Sequence, residues 1–423
     1  MSAGDGGALL PAARVRDDVV CDPVARVHRP APGARSGADA GRRGAHVSVH
    51  ALPAASIVVL GTGTVGRAVL QRLQTFGATT HGGRLVLHGV ANTRGAWAGA
   101  QVSIAECLPP VAGVDAMSDP SMRPGAVWRL DAEAAGHADR LVAGLDPASV
   151  RIVIDATPSL AIARRHARWL GDGIHVVTAC KLARGTSLRR WHAIEHARLR
   201  GGTLYGEAAT VGAGLPLLSS LRTLRAGGER IHSVAGVLSG SLAWLLHAFD
   251  GSRPFSALVA EARAAGYTEP DPRVDLGGLD VRRKLLILAR AAGAPLRERD
   301  VLLESLVPPA LLHGARVPED WRALDAPMAA RLHAARARGR VLRFVARWEH
   351  GRARVGIEAL EAGDALAQSR ACDNRVAIHC DRYRAQPLVV QGPGAGAQVT
   401  AAALLDDVLA IVRNVAARGA SPH

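Results

Sequence analysis

The pattern of hydrophobic and polar positions becomes regular at residue 56 and indicates alternating strands and helices. Residues 57–60 (IVVL) are continuously apolar, as expected for a strand buried on both faces. A glycine-rich turn follows, and residues 65–76 have a helical pattern that ends at Gly77. Further predicted elements are strands at 85–87, 151–155 and 175–178, with a helix over 160–170. This alternation predicts βαβ units and a parallel sheet.

After residue 182 the alternation ends and the pattern favours an α+β second domain. Its predicted elements are a helix over 278–292 and strands at 231–238, 341–348 and 354–359. We therefore expect a first domain over 56–182, completed by residues 390–415, and a second over 183–389. Residues 1–55 are rich in Gly, Ala, Pro and Arg without sustained periodicity, and we expect a disordered leader or remnant there.

The turn after the first strand has the sequence GTGTVG and fits the G-x-G-x-x-G pattern of dinucleotide-binding folds. Gly61 allows the tight turn, Gly63 lets a pyrophosphate approach the backbone, and Gly66 lets the helix pack closely. Thr64 and Val65 complete the predicted cofactor-binding turn. Because the pattern lies between a predicted strand and a predicted helix, it predicts a Rossmann-type α/β domain with a bound dinucleotide.

The end of the second strand should contact the ribose of that cofactor. An acidic residue there would favour NAD, but the chain has Asn92 and Arg94, and an arginine can bind a 2′-phosphate. We expect NADP ahead of NAD and leave dual use open. Thr157 and Lys181 follow later strands of the same sheet, at the carboxyl edge where such folds bind ligands.

Lysine occurs only at Lys181 and Lys284, and arginine supplies the other 50 of the 52 basic residues. A lysine ammonium loses its proton far more readily than a guanidinium, so it suits proton transfer at neutral pH. The alternative is an arginine-biased genome that spared two structural lysines. Both lysines lie in motif-rich stretches, which favours the chemical interpretation.

The segment GYTEPDP ends in a turn before the helix that carries Asp280 and Lys284. These two residues are four apart and share a helix face, either as an ordinary surface pair or as a carboxylate that positions a buried ammonium. Glu269 has no basic neighbour in sequence, so it suits capture of a substrate ammonium. The alternative is a turn residue that faces water.

Composition limits the class of protein. The net charge of +15 suggests an anionic partner, yet aromatic residues make up only 3% and no long basic run occurs, so we expect no nucleic-acid partner. Five cysteines without a C-x-x-C motif fit a reducing cytoplasm and no structural metal. We expect no membrane partner, because no apolar segment is long enough to cross a bilayer.

Several segments together resemble homoserine dehydrogenase, and the resemblance runs from about residue 56 to about residue 410. They are GTGTVG (61–66), GVANTRG (89–95), VVTACK (176–181), TVGAGLP (210–216), GVLSGSLAWLL (236–246), GYTEPDPRVDLGGLDVRRKLLILAR (266–290) and PLVVQGPGAGAQVTAA (387–402). The match is nearest to the dehydrogenase half of bifunctional aspartokinase–homoserine dehydrogenases, without a kinase domain.

The resemblance implies NAD(P)-dependent interconversion of L-aspartate 4-semialdehyde and L-homoserine, in threonine and methionine biosynthesis, by a homodimer. It implies that Lys284 is the proton donor, that Lys181 acts beside the nicotinamide, and that Glu269 and Asp280 bind the substrate. It also implies a second cofactor loop and a monovalent-cation loop, formed respectively by Gly394 and Gly396, and by the carbonyls of Val211, Ala213 and Leu215.

Two positions depart from the family pattern. Cys180 replaces the asparagine that usually precedes the first lysine, and Ala208 occupies the place of the acidic cation ligand, with Glu207 one residue earlier. The alternatives left open are another NADP-dependent semialdehyde reductase, a non-catalytic remnant and, last, a nucleic-acid binder.

Overall fold

The computed structural model describes residues 52–76, 83–93, 95–98, 127–129, 134–312, 317–318, 320–370 and 372–419. Within these ranges two β-sheets are flanked by helices, in agreement with the predicted α/β and α+β parts. None of the helices in these ranges has the length and apolarity needed to cross a membrane. Arg94, part of the predicted cofactor site, lies outside the described residues.

The first sheet has seven strands in the order β4-β3-β2-β1-β5-β6-β7. They are β1 (Leu52–Leu60), β2 (Gly83–Ala91), β3 (Gly95–Ala98), β4 (Val127–Arg129), β5 (Val150–Asp155), β6 (His175–Thr178) and β7 (Tyr205–Gly206). From β2 to β7 all pairs are parallel, as predicted, whereas β3 and β4 extend the edge as antiparallel strands. Strand β1 begins at Leu52, so residues 52–55, expected in the leader, belong to the sheet.

The helices of this half are α1 (Thr64–Phe76), α2 (Ala134–Ala143), α3 (Leu160–Ala163), α4 (His166–Gly171), α5 (Lys181–Arg184) and α6 (Leu188–Arg200). The single helix expected over 160–170 is therefore two short helices. The side chain of His166, the first residue of α4, is fully buried and lies 3.1 Å from Asp155 at the end of β5. The second helix is thereby held against the carboxyl edge of the sheet.

The second sheet has the order β13-β12-β8-β10-β11-β9 and is antiparallel except for the β9–β11 pair. Its strands are β8 (Ile231–Val237), β9 (Val301–Leu303), β10 (Arg340–Glu349), β11 (Arg352–Glu361), β12 (Asp373–Cys380) and β13 (Leu388–Pro393). The helices around it are α7 (Leu217–Ala226), α8 (Gly240–Ala248), α9 (Phe255–Ala264), α10 (Arg273–Leu276), α11 (Leu279–Ala291), α12 (Pro309–Leu312) and α13 (Asp325–Arg336). Three short 3-10 turns span Ala208–Thr210, Glu298–Asp300 and Arg322–Leu324.

Helix α11 is anchored by its apolar face in the core of the second half. Leu285, Leu286 and Leu288 are at most 1% exposed and belong to one buried cluster with residues of β8 and β10. Burying each leucine side chain contributes roughly 1.5–3 kcal/mol. The helix begins after Gly278, whose φ of +68° is a left-handed conformation that favours glycine. Packing and this sharp entry together fix the position of Asp280 and Lys284.

The last helix, α14 (Ala397–Gly419), returns to the first sheet. Leu404 and Val408 are fully buried in one cluster with Ile57 of β1 and Val69 of α1. The first sheet therefore has one of its faces covered by residues from the far end of the chain.

Candidate active site

The glycine turn between β1 and α1 has the geometry of a dinucleotide cradle. Gly61 has a φ of +97°, and a Cβ there would lie 2.8 Å from the Ala156 carbonyl oxygen. A Cβ on Gly66 would lie 1.8 Å from the Gly61 carbonyl oxygen, so the helix packs directly on the turn. At Gly63, in contrast, a Cβ would meet no atom within 4 Å. The open side of the turn, next to the start of α1 at Thr64, can thus accept a pyrophosphate.

Asn92 holds this turn to the end of β2. Its Nδ2 donates to Thr62 Oγ1 at 2.8 Å, and its Oδ1 accepts from the Gly95 amide at 3.0 Å. The Gly61 amide donates to the Ala91 carbonyl at 2.7 Å. Asn92, expected from the sequence to contact the ribose, therefore holds the turn that is predicted to bind the pyrophosphate.

Asp155, to which the sequence analysis gave no role of its own, connects the ends of β5 and β6. It is fully buried, and its Oδ1 accepts from Thr157 N at 2.9 Å and from Thr157 Oγ1 at 2.6 Å. Thr178 Oγ1 lies 3.3 Å from Asp155 Oδ2 and accepts from the Cys180 amide at 2.8 Å. One carboxylate thus fixes both the predicted cofactor residue Thr157 and the backbone that leads into Lys181.

Beyond Asp155 the buried network continues through His166. Its Nδ1 lies 3.0 Å from the Tyr205 hydroxyl oxygen. Cys180 is 3% exposed, and burial raises the pKa of its thiol to about 12. The thiol therefore stays neutral at physiological pH and behaves as a packing group beside Lys181.

The two lysines meet at one carboxylate. Lys284 Nζ lies 3.0 Å from Asp280 Oδ2, and Lys181 Nζ lies 3.6 Å from Asp280 Oδ1. Lys284 also donates to the Leu238 carbonyl oxygen at 2.7 Å, at the end of β8. Lys181 begins helix α5, so the cluster joins the carboxyl edge of the first sheet to helix α11.

Burial lowers the pKa of Lys284, an effect that Asp280 opposes and Lys181 reinforces. For Asp280, burial favours the neutral acid, but the two lysines outweigh this and its pKa is lowered. The side chain of Lys284 is 11% exposed and that of Lys181 is 31% exposed. The site therefore contains a buried ammonium whose pKa is lowered, next to a lysine that is more accessible to solvent.

Glu269 lies on the turn before α10 and is exposed. Its backbone amide donates to Asp275 Oδ2 at 2.9 Å, and Asp275 Oδ1 accepts from Ser241 Oγ at 2.8 Å. Within the described ranges, no ion pair involves the Glu269 carboxylate. Asp275 is the second residue to which the sequence analysis gave no role, although it lies only three residues after the GYTEPDP segment. It orders the loop that presents Glu269.

The predicted cation loop has two successive residues with positive φ, Gly212 at 75° and Ala213 at 52°. The Leu215 carbonyl accepts from the Leu217 amide at 2.7 Å. Val211 and Ala213 are buried in the same loop.

Nearby in sequence, Glu207 is 2% exposed. Its Oε1 lies 3.0 Å from Arg184 Nη1 and 2.6 Å from Arg222 Nη2. Its Oε2 is buried and has no hydrogen-bond partner in the part of the chain described here. One carboxylate oxygen therefore remains available for a further positive group.

The second glycine loop connects β13 to α14. A Cβ on Gly394 would lie 2.0 Å from Asn374 Cγ, so only glycine fits against that buried amide. Gly396 has a φ of +129°, and its carbonyl accepts from Thr400 Oγ1 at 2.7 Å. Both glycines are thus required by the local backbone, and the structure alone assigns them no ligand.

Comparison with known proteins agrees with this arrangement. A family profile described as "Homoserine dehydrogenase" matches residues 216–409, and one described as "Homoserine dehydrogenase, NAD binding domain" matches residues 61–205. The second profile covers the glycine turn and strands β2 to β6. The first sheet is accordingly the part of the chain that binds a nicotinamide dinucleotide.

Curated relatives include bifunctional aspartokinase/homoserine dehydrogenase 2 of Escherichia coli (strain K12), which is 44% identical over 261 residues. That alignment covers 61% of this chain and 32% of the relative, so the chain spans about a third of the bifunctional protein. Homoserine dehydrogenase of Emericella nidulans is 37% identical over 283 residues, covering 62% of this chain and 76% of the relative.

Among solved structures, a hyperthermophilic archaeal homoserine dehydrogenase in complex with NADPH superimposes with a TM-score of 0.64. It is 20% identical in sequence, and the match covers 85% of this chain and 98% of that one. This similarity supports the fold. From the two profiles and the fungal relative, we conclude that the chain belongs to the homoserine dehydrogenase family.

Proposed function

We propose that this chain catalyses the NAD(P)-dependent interconversion of L-aspartate 4-semialdehyde and L-homoserine. The observation that carries the proposal is the meeting of its only two lysines, Lys181 and Lys284, at the carboxylate of Asp280. The lysines come from different halves of the molecule, so the site forms only in the assembled fold. Family membership supplies the reaction.

The glycine turn from Gly61 to Gly66 would hold the nicotinamide dinucleotide, which would supply the hydride for reduction of the aldehyde carbon. Lys284 Nζ donates a proton to the oxygen that becomes the alcohol, and burial lowers the pKa of Lys284, which favours that donation. The more exposed Lys181 stabilises the negative charge that develops on the same oxygen. In oxidation, neutral Lys284 removes the hydroxyl proton.

Glu269 and Asp280 bind the amino-acid end of the substrate in this proposal. Glu269 is exposed on a loop ordered by Asp275, which suits an ammonium that arrives from solvent. The Asp280 side chain is 44% exposed and also positions both lysines. Two carboxylates at the rim would hold the carbonyl carbon at a fixed distance from the lysines.

NADP is the proposed cofactor ahead of NAD. The support is Arg94, which follows the end of β2 in sequence where no carboxylate is present, and the NADPH bound by the archaeal relative. The test is the ratio of the rates with NADPH and NADH in the wild-type protein and in Arg94→Ala. We expect that substitution to raise the KM for NADPH and leave the KM for NADH nearly unchanged. An equal effect on both cofactors would contradict a 2′-phosphate contact.

A monovalent cation bound by the carbonyls of Val211, Ala213 and Leu215 is a further proposal. The free Oε2 of buried Glu207 fits a positive group there, in place of the acidic ligand missing at Ala208. A cation bound there would order residues 211–215, which lie between β7 of the first sheet and β8 of the second. Titration with K⁺ and Na⁺ at constant ionic strength, followed by thermal unfolding, tests it. A melting temperature that is insensitive to both ions would contradict the proposal.

We also propose that the protein assembles as a homodimer through its second sheet. Strand β13 is an edge strand of that sheet, and Leu388, Val389 and Val390 remain partly exposed there. Apolar edge strands are commonly covered by a partner. Light scattering coupled to gel filtration should give twice the chain mass, and a monomer across the working concentration range would contradict this.

The test of the activity is NADPH oxidation by purified protein with L-aspartate 4-semialdehyde. Succinate semialdehyde, which lacks the ammonium, serves as the matched control substrate. Rapid turnover of the first and slow turnover of the second are expected if Glu269 captures the ammonium. Equal turnover would favour another semialdehyde reductase, and no turnover in folded, NADPH-binding protein would favour a non-catalytic remnant.

A further inference from the structure

Arg290 is a buried cation whose hydrogen bonds all go to backbone carbonyls. It is 1% exposed, and no carboxylate pairs with it in the described residues. Its Nη2 donates to Thr186 O at 2.6 Å and to Leu296 O at 2.8 Å, its Nε donates to Leu296 O at 3.1 Å, and its Nη1 donates to Arg184 O. Burying an unpaired guanidinium is costly, and burial lowers the pKa of Arg290 to about 10. Such a costly group calls for an explanation.

The position of the carbonyls in the chain supplies one. Arg184 is the last residue of helix α5, which begins with Lys181, and Thr186 lies two residues further along the chain, after Gly185. Arg290 lies in the last turn of α11, the helix that carries Asp280 and Lys284. At 1.5 Å per residue, Arg290 is about 9 Å along the helix from Lys284, too far to contact the reacting atoms. One side chain thus ties the segment of one lysine to the helix of the other.

A second contact joins the same two elements. Gly185 lies between the two carbonyls, and a Cβ there would be 2.6 Å from the Lys181 carbonyl oxygen of α5, 2.8 Å from the Arg283 carbonyl oxygen and 3.1 Å from Arg283 Cβ. The glycine therefore allows the backbone of α5 to approach the backbone of α11. The distance between α5 and α11 is therefore set by two features. Arg290 holds the helices together through its hydrogen bonds, and Gly185 has no side chain to keep them apart.

That separation controls the electrostatics of the site. The charged groups that act on Lys284 are Asp280 from its own helix, Lys181 from α5 and Asp275 from α10. Of these, only Lys181 is carried by α5, and its 3.6 Å contact with Asp280 is the longer of the two ion pairs. A shift of α5 away from α11 would lengthen this contact first and weaken the effect of Lys181 on Lys284.

We propose that Arg290 is a positioning residue that sets the distance between Lys181 and the Asp280–Lys284 pair by holding the carbonyls of Arg184 and Thr186. The inference rests on the proposed function, in which these two lysines act on one substrate oxygen. Arg290 acts through the backbone of α5 and touches neither substrate nor cofactor.

The test compares Arg290→Lys with Arg225→Lys. A lysine at 290 keeps the charge but cannot reach three carbonyls at once. Arg225 is the matched control, because it donates to Ala291 O at the same end of α11 from helix α7 and has no bond to α5. We expect Arg290→Lys to lower kcat about 100-fold, as displacements near 1 Å do, with the Kd for NADPH within about twofold of wild type. The control should retain wild-type kcat.

If Arg290 only stabilised the fold, replacing it would not change the pKa of Lys284. In Arg290→Lys we expect the pH midpoint of kcat/KM to rise, because Lys181 no longer lowers the proton affinity of Lys284 as strongly. The same midpoint can be read without catalysis, from the pH dependence of Lys284 acetylation by acetic anhydride measured by mass spectrometry. A shifted acetylation midpoint in protein that does not turn over the semialdehyde would support the positioning role while rejecting the proposed function.

Gly185→Ala is the second variant, in case Arg290→Lys does not fold. Its added Cβ should push α5 from α11 and raise the same midpoint. An unchanged acetylation midpoint in whichever of the two variants folds would overturn the proposal, whatever happens to the melting temperature.

Discussion

Lys181 and Lys284 contact opposite oxygens of a single carboxylate, at 3.6 Å from Asp280 Oδ1 and 3.0 Å from Asp280 Oδ2. Two ammonium groups share one negative charge, and the more buried of them, Lys284, has its pKa lowered by burial and by the other lysine. This lowered pKa suits the proposed role of Lys284, because a proton donor must be able to give up its proton.

Lys284→Arg tests the donor role. Arginine keeps the positive charge next to Asp280 but does not release a proton near neutral pH. We expect kcat to fall by about 10²–10⁴-fold with NADPH affinity preserved. The measurement is steady-state semialdehyde reduction together with a fluorescence titration of NADPH. Near-wild-type kcat in the variant would remove Lys284 from the mechanism.

The two reaction directions should respond oppositely to pH. Reduction requires protonated Lys284, so its kcat/KM should be constant at low pH and fall as pH rises through the pKa of Lys284. Oxidation of homoserine requires the neutral amine, so its kcat/KM should rise through the same pKa and then level off. Because burial lowers that pKa, the midpoint should lie below the ordinary lysine value of about 10.4. Profiles of kcat/KM against pH, recorded in both directions, check this. If kcat/KM rose in both directions or fell in both, the prediction would be wrong.

Alanine substitutions at two glycines of the turn between β1 and α1 should have different effects. Gly66→Ala should lower stability, and Gly63→Ala should weaken NADPH binding. At Gly66 the added Cβ would lie 1.8 Å from a carbonyl oxygen, so we expect a loss of stability of about 1–3 kcal/mol or more. At Gly63 no atom lies within 4 Å, so Gly63→Ala should change the free energy of unfolding by less than about 0.5 kcal/mol. The same methyl group would occupy the approach of the pyrophosphate and raise the Kd for NADPH.

Denaturant unfolding and NADPH titration of both variants separate the two effects. Unchanged NADPH affinity in Gly63→Ala would mean that the cofactor does not cross this turn.

Asp407 on α14 should make stability depend on pH. Its Oδ2 accepts from the Ala208 amide at 2.9 Å, and burial raises its pKa to about 6. A carboxyl with a raised folded-state pKa stabilises the fold below its unfolded pKa of about 3.9, and this contribution is lost as pH rises through about 6. Asp407→Asn removes the charge and keeps an acceptor. Its free energy of unfolding relative to wild type should therefore increase between pH 4 and pH 7, by up to about 3 kcal/mol at about 1.4 kcal/mol per pKa unit.

Chemical denaturation of both proteins at several pH values measures this difference. A difference that stays constant with pH would show that Asp407 titrates as it does in the unfolded chain.

Local sequence pattern predicted the parts of the fold that depend on neighbours in sequence. The apolar run at 57–60, the glycine spacing and the i,i+4 pair of Asp280 and Lys284 all have the expected geometry. Strands β12 and β13 were not predicted, because their burial depends on pairing with β8 and with each other. A helical period can be recognised in a short stretch of sequence, whereas the partner with which a strand pairs cannot.

In the candidate site, too, features local in sequence were predicted and contacts between distant residues were not. Both lysines were found because arginine replaces lysine everywhere else in the chain. The bond from Arg290 to Arg184 spans 106 residues, and nothing in either local sequence indicates it. The position of Asp155 at the end of an apolar strand is evident from the sequence, whereas its bonds to Thr157, Thr178 and His166 are visible only in the structure.

Helix α14 has a consequence for the order in which the protein folds during synthesis. Its Leu404 and Val408 cover the apolar residues Ile57 and Val69, which leave the ribosome far earlier. At roughly 5–20 residues per second, the nascent cofactor domain must wait tens of seconds with that face uncovered. The first half to be translated is therefore among the last to finish folding, and it is the half expected to need a chaperone while translation continues.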